Sequence, residues 1–300
     1  MPKTLKASLL IGFAGALYGV MLTVMQIANN QGYLRADLMA CQFLFSAAVF
    51  FVAILVKYRN LRLKGSQRLK LLLIGLFGFG TNFCMYETVA LSSSSFAVTM
   101  LFQYIWMGIV FDALVTKKVP PWYMILAVVL VFIGTPLAAG LFDAEHSINP
   151  LGVLTGLGAS TSYTGMLWTS ARLETRVPPV IRTFYFSAAQ ASVAILIAPQ
   201  TFIVSVIDPG VWLYAIPLGL TTAVVPTFIV MRNAPKVPVG ITTIMTGMEL
   251  PSTIVLSALV LQQAHSAVVV VGVVLICLGI VVANKDGIDE LRRPRQIKDG

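Results

Sequence analysis

Charge is scarce in this sequence: ionisable side chains make up 11% of the 300 residues and apolar ones 57%, where a soluble domain would carry about 25% charged residues. Water is therefore not the main solvent of this chain. Histidine occurs twice, at His146 and His265, and cysteine three times, at Cys41, Cys84 and Cys277. All three cysteines fall inside apolar runs, without metal-ligand spacing and without a soluble loop to staple, so neither a disulfide framework nor a zinc site is expected. HExxH and GxSxG are both missing, and neither histidine lies within an apolar run. The parts needed for zinc hydrolysis or acyl transfer are thus lacking, which argues against an intramembrane enzyme. No cofactor is expected.

What the sequence has is apolar length. Runs of roughly 20 residues, the length that crosses hydrocarbon, are expected as helices near 7–28, 36–57, 69–91, 95–116, 121–142, 150–173, 179–199, 210–231, 238–261 and 265–284. Continuous runs satisfy their own backbone groups as helices, whereas a barrel would show short alternating segments. The expected fold is an all-α integral membrane protein of ten transmembrane helices. The basic start and apolar core of MPKTLKASLLIGFAGALYG resemble a signal peptide, but the apolar stretch continues to Met25 without a cleavage site and reads as a retained first helix.

The formal charge of +9 is topological. Lys3 and Lys6 precede span 1, and Lys57, Arg59, Arg62, Lys64, Arg68 and Lys70 separate spans 2 and 3. Lys117 and Lys118 follow span 4, Arg172, Arg176 and Arg182 flank spans 6 and 7, and Arg232 and Lys236 follow span 8. Lys285, Arg292, Arg293, Arg295 and Lys298 form the tail. Twenty of the 21 basic residues fall on one side and Arg35 alone on the other. Positive flanks are cytoplasmic, so both termini are expected in the cytoplasm, with a multi-pass location in the cell (inner) membrane and no nucleic-acid partner. Asp143, Glu145, Asp208 and both histidines fall in the outer loops.

The chain also repeats weakly. Residues 45–56, FSAAVFFVAILV, match 186–197, FSAAQASVAILI, at a shift of 141, and 130–134 match 275–279 at a shift of 145. Five spans per half force the halves into opposite orientations, the inverted repeat of many secondary transporters, with a substrate site near the midplane. Expected units are 1–144 (spans 1 to 5), 145–285 (spans 6 to 10) and a basic cytoplasmic tail, 286–300. Gly15 with Gly19, and Gly152 with Gly156, are small-xxx-small pairs that permit close helix approach.

With this layout, Tyr86-x-x-x-Ala90-Leu91 followed by Ser92–Ser95, and Glu249-Leu250-Pro251, resemble the drug/metabolite transporter (DMT) superfamily, of the ten-helix EamA type, over essentially the whole chain. The chain departs from the family pattern at Trp106, where the repeat would place proline, and at Lys117 and Gln262, near positions where members often carry glutamate. Residues 101–108, LFQYIWMG, are similar to a branch described as multidrug efflux. The resemblance implies a secondary active transporter that exports small organic metabolites, amino acids or organic cations and drugs, by alternating access with proton coupling. Uptake or exchange of the same solutes uses the same layout. A non-transporting membrane scaffold is the reading from another class. The implied partners are a small organic solute, protons and lipid, in a monomer or homodimer.

Apart from Asp37 at the very start of span 2, three acidic residues fall within spans. Glu87 and Asp112 lie near span ends and can reach water. Glu249 lies near the centre of span 9, where an ionised carboxylate costs several kcal/mol unless it faces water or a partner. Thr242, Met245, Thr246, Glu249 and Thr253 share one helical face. Glu249 is therefore the leading candidate, either as counter-ion to a cationic solute or as the site of proton coupling; a glutamate serving packing alone is the alternative. The shift of 145 carries Tyr104 onto Glu249, and Gln103, Tyr104 and Trp106 cross the same depth. With Tyr18, Asn82, Tyr86, Tyr163, Trp168 and Thr246 they complete the expected substrate-binding set. Aromatic faces suit cations, although Trp and Tyr also mark membrane interfaces. Pro136, Pro217, Pro226 and Pro251 interrupt spans, and each removes a backbone donor.

Overall fold

The computed structural model describes residues 3–33, 35–58, 63–92, 94–141, 149–197, 203, 206–260, 262 and 266–285. Arg59, Arg62, Ser93, Asp143, Glu145, His146, His265, the 144/145 boundary and the tail 286–300 lie outside them. Helices fill the expected spans, and no strand occurs among the described residues. The first rod is α1 (Lys3–Tyr18) and α2 (Val20–Asn30), the second α3 (Arg35–Lys57) and the third α4 (Gly65–Leu91). The fourth is α5 (Ser94–Leu101) with α6 (Tyr104–Thr116), and the fifth is α7 (Trp122–Ala138). The sixth and seventh are α8 (Pro150–Arg172) and α9 (Pro179–Ile197). The eighth runs from α10 (Pro209–Leu218) through a π-helical turn, Gly219–Val224, into α11 (Val225–Asn233). The ninth is α12 (Val239–Thr246) with α13 (Glu249–Val260), and the tenth α14 (Ala267–Ala283).

Local chemistry sets these ends. Asn149 and Asp208 accept from the backbone N–H groups of Leu151 and Gly210 at 2.9 and 2.8 Å. Each stands before a proline whose missing N–H costs nothing at the first helical position. Lys117 closes α6 in a left-handed conformation, φ 54°.

Among the described residues, six stretches are long and apolar enough to cross a membrane: Asp37–Lys57, Gly65–Leu91, Phe96–Thr116, Pro179–Ile197, Pro209–Lys236 and Val239–Val260. Thr4–Tyr18, Trp122–Ala138 and Ala267–Ala283 are shorter apolar helices. Large apolar side chains cover the outside, among them Phe13, Leu114, Leu213 and Leu259. Such a continuous apolar surface is stable in lipid rather than in water.

Rod packing joins the two halves of the chain. α3 packs along α9, α4 along α8 and α7 along α14, while α1 lies against α11 and α12. At the basic ends of the rods, Arg172 pairs with Asp112 (2.8 Å) and Lys70 with Glu174 (3.2 Å). Hydrogen bonds from Gln67 and Lys70 hold the Glu174 carboxyl below its usual range.

Arg182 departs from the sequence expectation. Read there as a flanking charge, it is 1% exposed, and its guanidinium donates to the carbonyls of Ser170 and Met231. Those carbonyls belong to the last turns of α8 and α11, where helical donors run out and the dipole favours a cation. A buried basic residue is therefore present, but it is committed to two helix ends. Arg182→Met, which fills the space and strands both carbonyls, is expected to destabilise the protein by about 2 kcal/mol or more. Thermal unfolding in detergent, with Arg182→Lys as a partial rescue, checks this; an unchanged midpoint would show that the helix ends do not need the charge.

Candidate functional site

Four rods are interrupted at related places. The first breaks at Gly19, the fourth at Phe102–Gln103, the ninth at Gly247–Met248, and the eighth loosens into its π-turn before Pro226. Broken helices are tolerated at membrane depth where side chains or a cavity satisfy the freed backbone groups. Here hydroxyls supply part of that need. Pro226 offers no N–H to the Thr222 carbonyl, and Thr227 Oγ1 donates to it at 3.1 Å. Thr253 Oγ1 donates to Gly19 O at 3.2 Å, and Ser46 Oγ to Ala223 O at 3.1 Å.

Beside these breaks lies a cavity of about 100 Å³, room for small groups and below the range of drug-sized ligand sites. Tyr18, Met21, Tyr163, Met166 and Glu249, with Gln42, Thr81, Asn82, Gln190 and Thr222, line its wall. Phe43, Phe186 and Leu101 add apolar surface. Among the described residues, Glu249 contributes the one charge in this wall. It opens α13 directly after the break, and no described side chain hydrogen-bonds its carboxylate. A carboxylate at a half-helix N-terminus is favourably placed in the helix dipole and remains able to take a cation.

The hydroxyls around Glu249 have defined directions. Thr227 spends its proton on the Thr222 carbonyl, so Tyr18, 3.3 Å from Thr227 Oγ1, donates to it. Thr246 donates to Thr242 O and Thr243 O, so Tyr104, 3.2 Å away, donates to Thr246. Tyr104 stands edge-on to Tyr163, with centroids 4.5 Å apart. All three tyrosines lie within electrostatic range of the Glu249 carboxylate.

Of the residues expected from sequence, Tyr18, Asn82, Tyr163 and Glu249 line this cavity. Tyr104 and Thr246 stand behind Tyr163 as a buried buttress. The remaining four lie elsewhere. Tyr86 packs on the second apolar cluster and donates to Met39 Sδ. Gln103 bonds Thr99 O and accepts from Trp106 Nε1, which leaves Trp106 36% exposed. Trp168 stacks edge-on with Phe111, 5.2 Å away, beside Arg172. Asp112 is spent on Arg172, and Glu87 is exposed.

Gln42, Gln190, Thr81, Thr222 and Thr227 were not expected from sequence. The signal was available for the two glutamines, because an amide within an apolar helix needs a partner by the rule that singled out Glu249. Threonines are too common in spans to stand out.

Among curated proteins, none matches this sequence. A solved crystal structure, described only as that of a protein, superposes on 93% of this chain and 98% of its own length with a TM-score of 0.76. Its identity of 18% makes this a likeness of fold. The EamA-like transporter family matches residues 5–139, which cover the first five rods. Over those residues the chain is similar to the EamA-like transporter family, which lies within the drug/metabolite transporter superfamily.

Proposed function

We propose that this transporter is a secondary exporter of small organic solutes carrying an ammonium group, amino acids or organic cations, in exchange for protons. The observation that carries the reading is the unpartnered Glu249 carboxylate in a cavity bounded by four interrupted helices. One negative group, aromatic rings and, among the described residues, no basic side chain in the wall favour a cation over an anion. A carboxylate away from water needs a cation. The ammonium of the solute and the proton compete for it, and that competition couples their opposite movements.

Alternating access follows from two inverted five-rod repeats, residues 1–144 and 145–285. Three observations support them. Ser46 hydrogen-bonds Ser187 at 2.8 Å, and the two are separated by the sequence shift of 141; a residue that touches its own mate lies on a two-fold axis. The shift of 145 carries the break at Phe102–Gln103 onto that at Gly247–Met248. It also carries Lys117 onto Gln262, and both are left-handed, with φ 54° and 52°. The one-sided basic residues support the reading of an inner-membrane protein with both termini in the cytoplasm.

Proteoliposomes containing the purified protein, loaded with amino acids or organic cations, test the reading. Counterflow of at least one such solute, accelerated by an opposing pH gradient, is expected. A membrane that stays impermeable to the whole panel would favour the scaffold reading.

A further inference from the structure

Besides Glu249, the cavity wall holds a donor that has no partner among the described residues. Gln190 on α9 is 1% exposed and lies in the cavity wall. Two bonds fix its orientation. Asn82 Nδ2 lies 3.1 Å from the Gly78 carbonyl oxygen, which can only accept, so the nitrogen of the Asn82 amide must face it. The same Nδ2 donates to Gln190 Oε1 at 3.0 Å. Gln190 therefore turns its oxygen to Asn82 and its nitrogen away; exchanging O and N in either amide would set like against like. Among the described residues Gln190 Nε2 has no hydrogen-bond partner, although it is buried. A buried donor in that state is unfavourable until something accepts from it. Gly78 lets the Gln190 amide pack directly on α4, since a Cβ there would lie 3.1 Å from Nε2 and 2.8 Å from Phe186 Cε2. The sequence repeat pairs Gln190 with Val49, so this donor belongs to one half alone.

We propose that Gln190 is a specificity-determining residue, whose Nε2 donates to an acceptor oxygen, carboxylate or carbonyl, of a solute whose ammonium group is held at Glu249. This rests on the reading of the cavity as the solute site. It narrows the solutes to those with a cationic end and an acceptor end, amino acids rather than simple organic amines. Asn82 is a positioning residue, because it acts only by aiming the Gln190 amide.

Matched pairs of an amino acid and its decarboxylated amine test the assignment, such as phenylalanine with phenethylamine and lysine with cadaverine. Binding is read by thermal stabilisation of the detergent-solubilised protein and transport by counterflow. The native protein is expected to bind the amino acid of a preferred pair about tenfold or more tightly than its amine. Gln190→Met, which keeps the volume without a donor, is expected to bring that ratio to about one by weakening the amino acid alone. Gln190→Glu, which keeps the acceptor for Asn82, should do the same, so the result does not hang on the folding of one variant. Absence of a preference in the native protein, a ratio that survives both substitutions, or equal weakening of amine and amino acid would overturn it, and would leave Nε2 bound only to water. If binding discriminates but no solute crosses the membrane, the transport reading fails and this assignment stands. If counterflow proceeds with the ratio unmoved, the assignment fails and transport stands.

Discussion

Glu249→Gln is expected to abolish gradient-driven accumulation while leaving slow counterflow. The side chain keeps its shape but can neither lose a proton nor neutralise an ammonium group. Two consequences separate. The pH dependence of exchange should disappear, because no other charged group among the described residues lines the cavity. The KM for a cationic solute should rise by roughly ten- to a hundredfold, the equivalent of the roughly 1.5–3 kcal/mol that a charged hydrogen bond contributes. Glu249→Asp shortens the side chain and keeps the charge, so it should retain pH dependence at reduced rate. Transport by Glu249→Gln with an unaltered pH profile would return this residue to a packing role. The measurement is decisive because the competing carboxylates are accounted for: Asp112 holds Arg172 at 2.8 Å, and Glu87 is exposed.

The same rule, that hydrocarbon tolerates a polar group only with a reason, explains how much of the site was legible in the sequence. Glu249 stood out because a charge in mid-span is expensive, and Tyr18 and Tyr163 because aromatic residues are large and few. The ten rods followed from apolar length, and their ends from proline and capping side chains. Orientation within a rod was less legible. Tyr86 stands one turn beyond Asn82, against Met39, and Trp168 lies toward the end of α8 beside Arg172, while the nearly uniform apolar content of a lipid-facing helix gives little periodicity from which to read a face. Gln103 was misleading for a different reason: its amide is satisfied within its own helix by Thr99 O and Trp106. Arg182 passed as a flanking charge because sequence distance from a span end does not show which carbonyls another helix brings there. Gln190 interrupts the best-matched segment of the repeat, FSAAQ against FSAAV, and a polar residue replacing valine at a matched position was the available signal.

Three glycines on one face of the first rod should differ sharply in their tolerance of alanine, although sequence treats them alike. A Cβ at Gly12 would meet Met245 Cε at 2.6 Å, the far end of a flexible side chain that can turn aside, so Gly12→Ala is expected to cost less than about 1 kcal/mol. At Gly15 the Cβ would lie 2.7 Å from Thr246 O and 3.0 Å from Met245 O, which are backbone atoms of α12. At Gly19 it would lie 2.6 Å from Glu249 O and 2.8 Å from Thr253 N, the backbone that carries the cavity carboxylate. Neither backbone can yield without moving the ninth rod away from the first, so each alanine should cost about 1–3 kcal/mol. Gly19→Ala should also lose transport, because it displaces Glu249 and breaks the Thr253–Gly19 hydrogen bond. Gly65→Ala, with nothing within 4 Å of its Cβ, is the control and should be neutral. Thermal midpoints in detergent and counterflow rates give the ranking. Equal effects at Gly12 and Gly19 would mean that helix propensity, rather than the backbone contact between the first and ninth rods, governs this face, and would remove the physical link between the break at Gly19 and the position of Glu249.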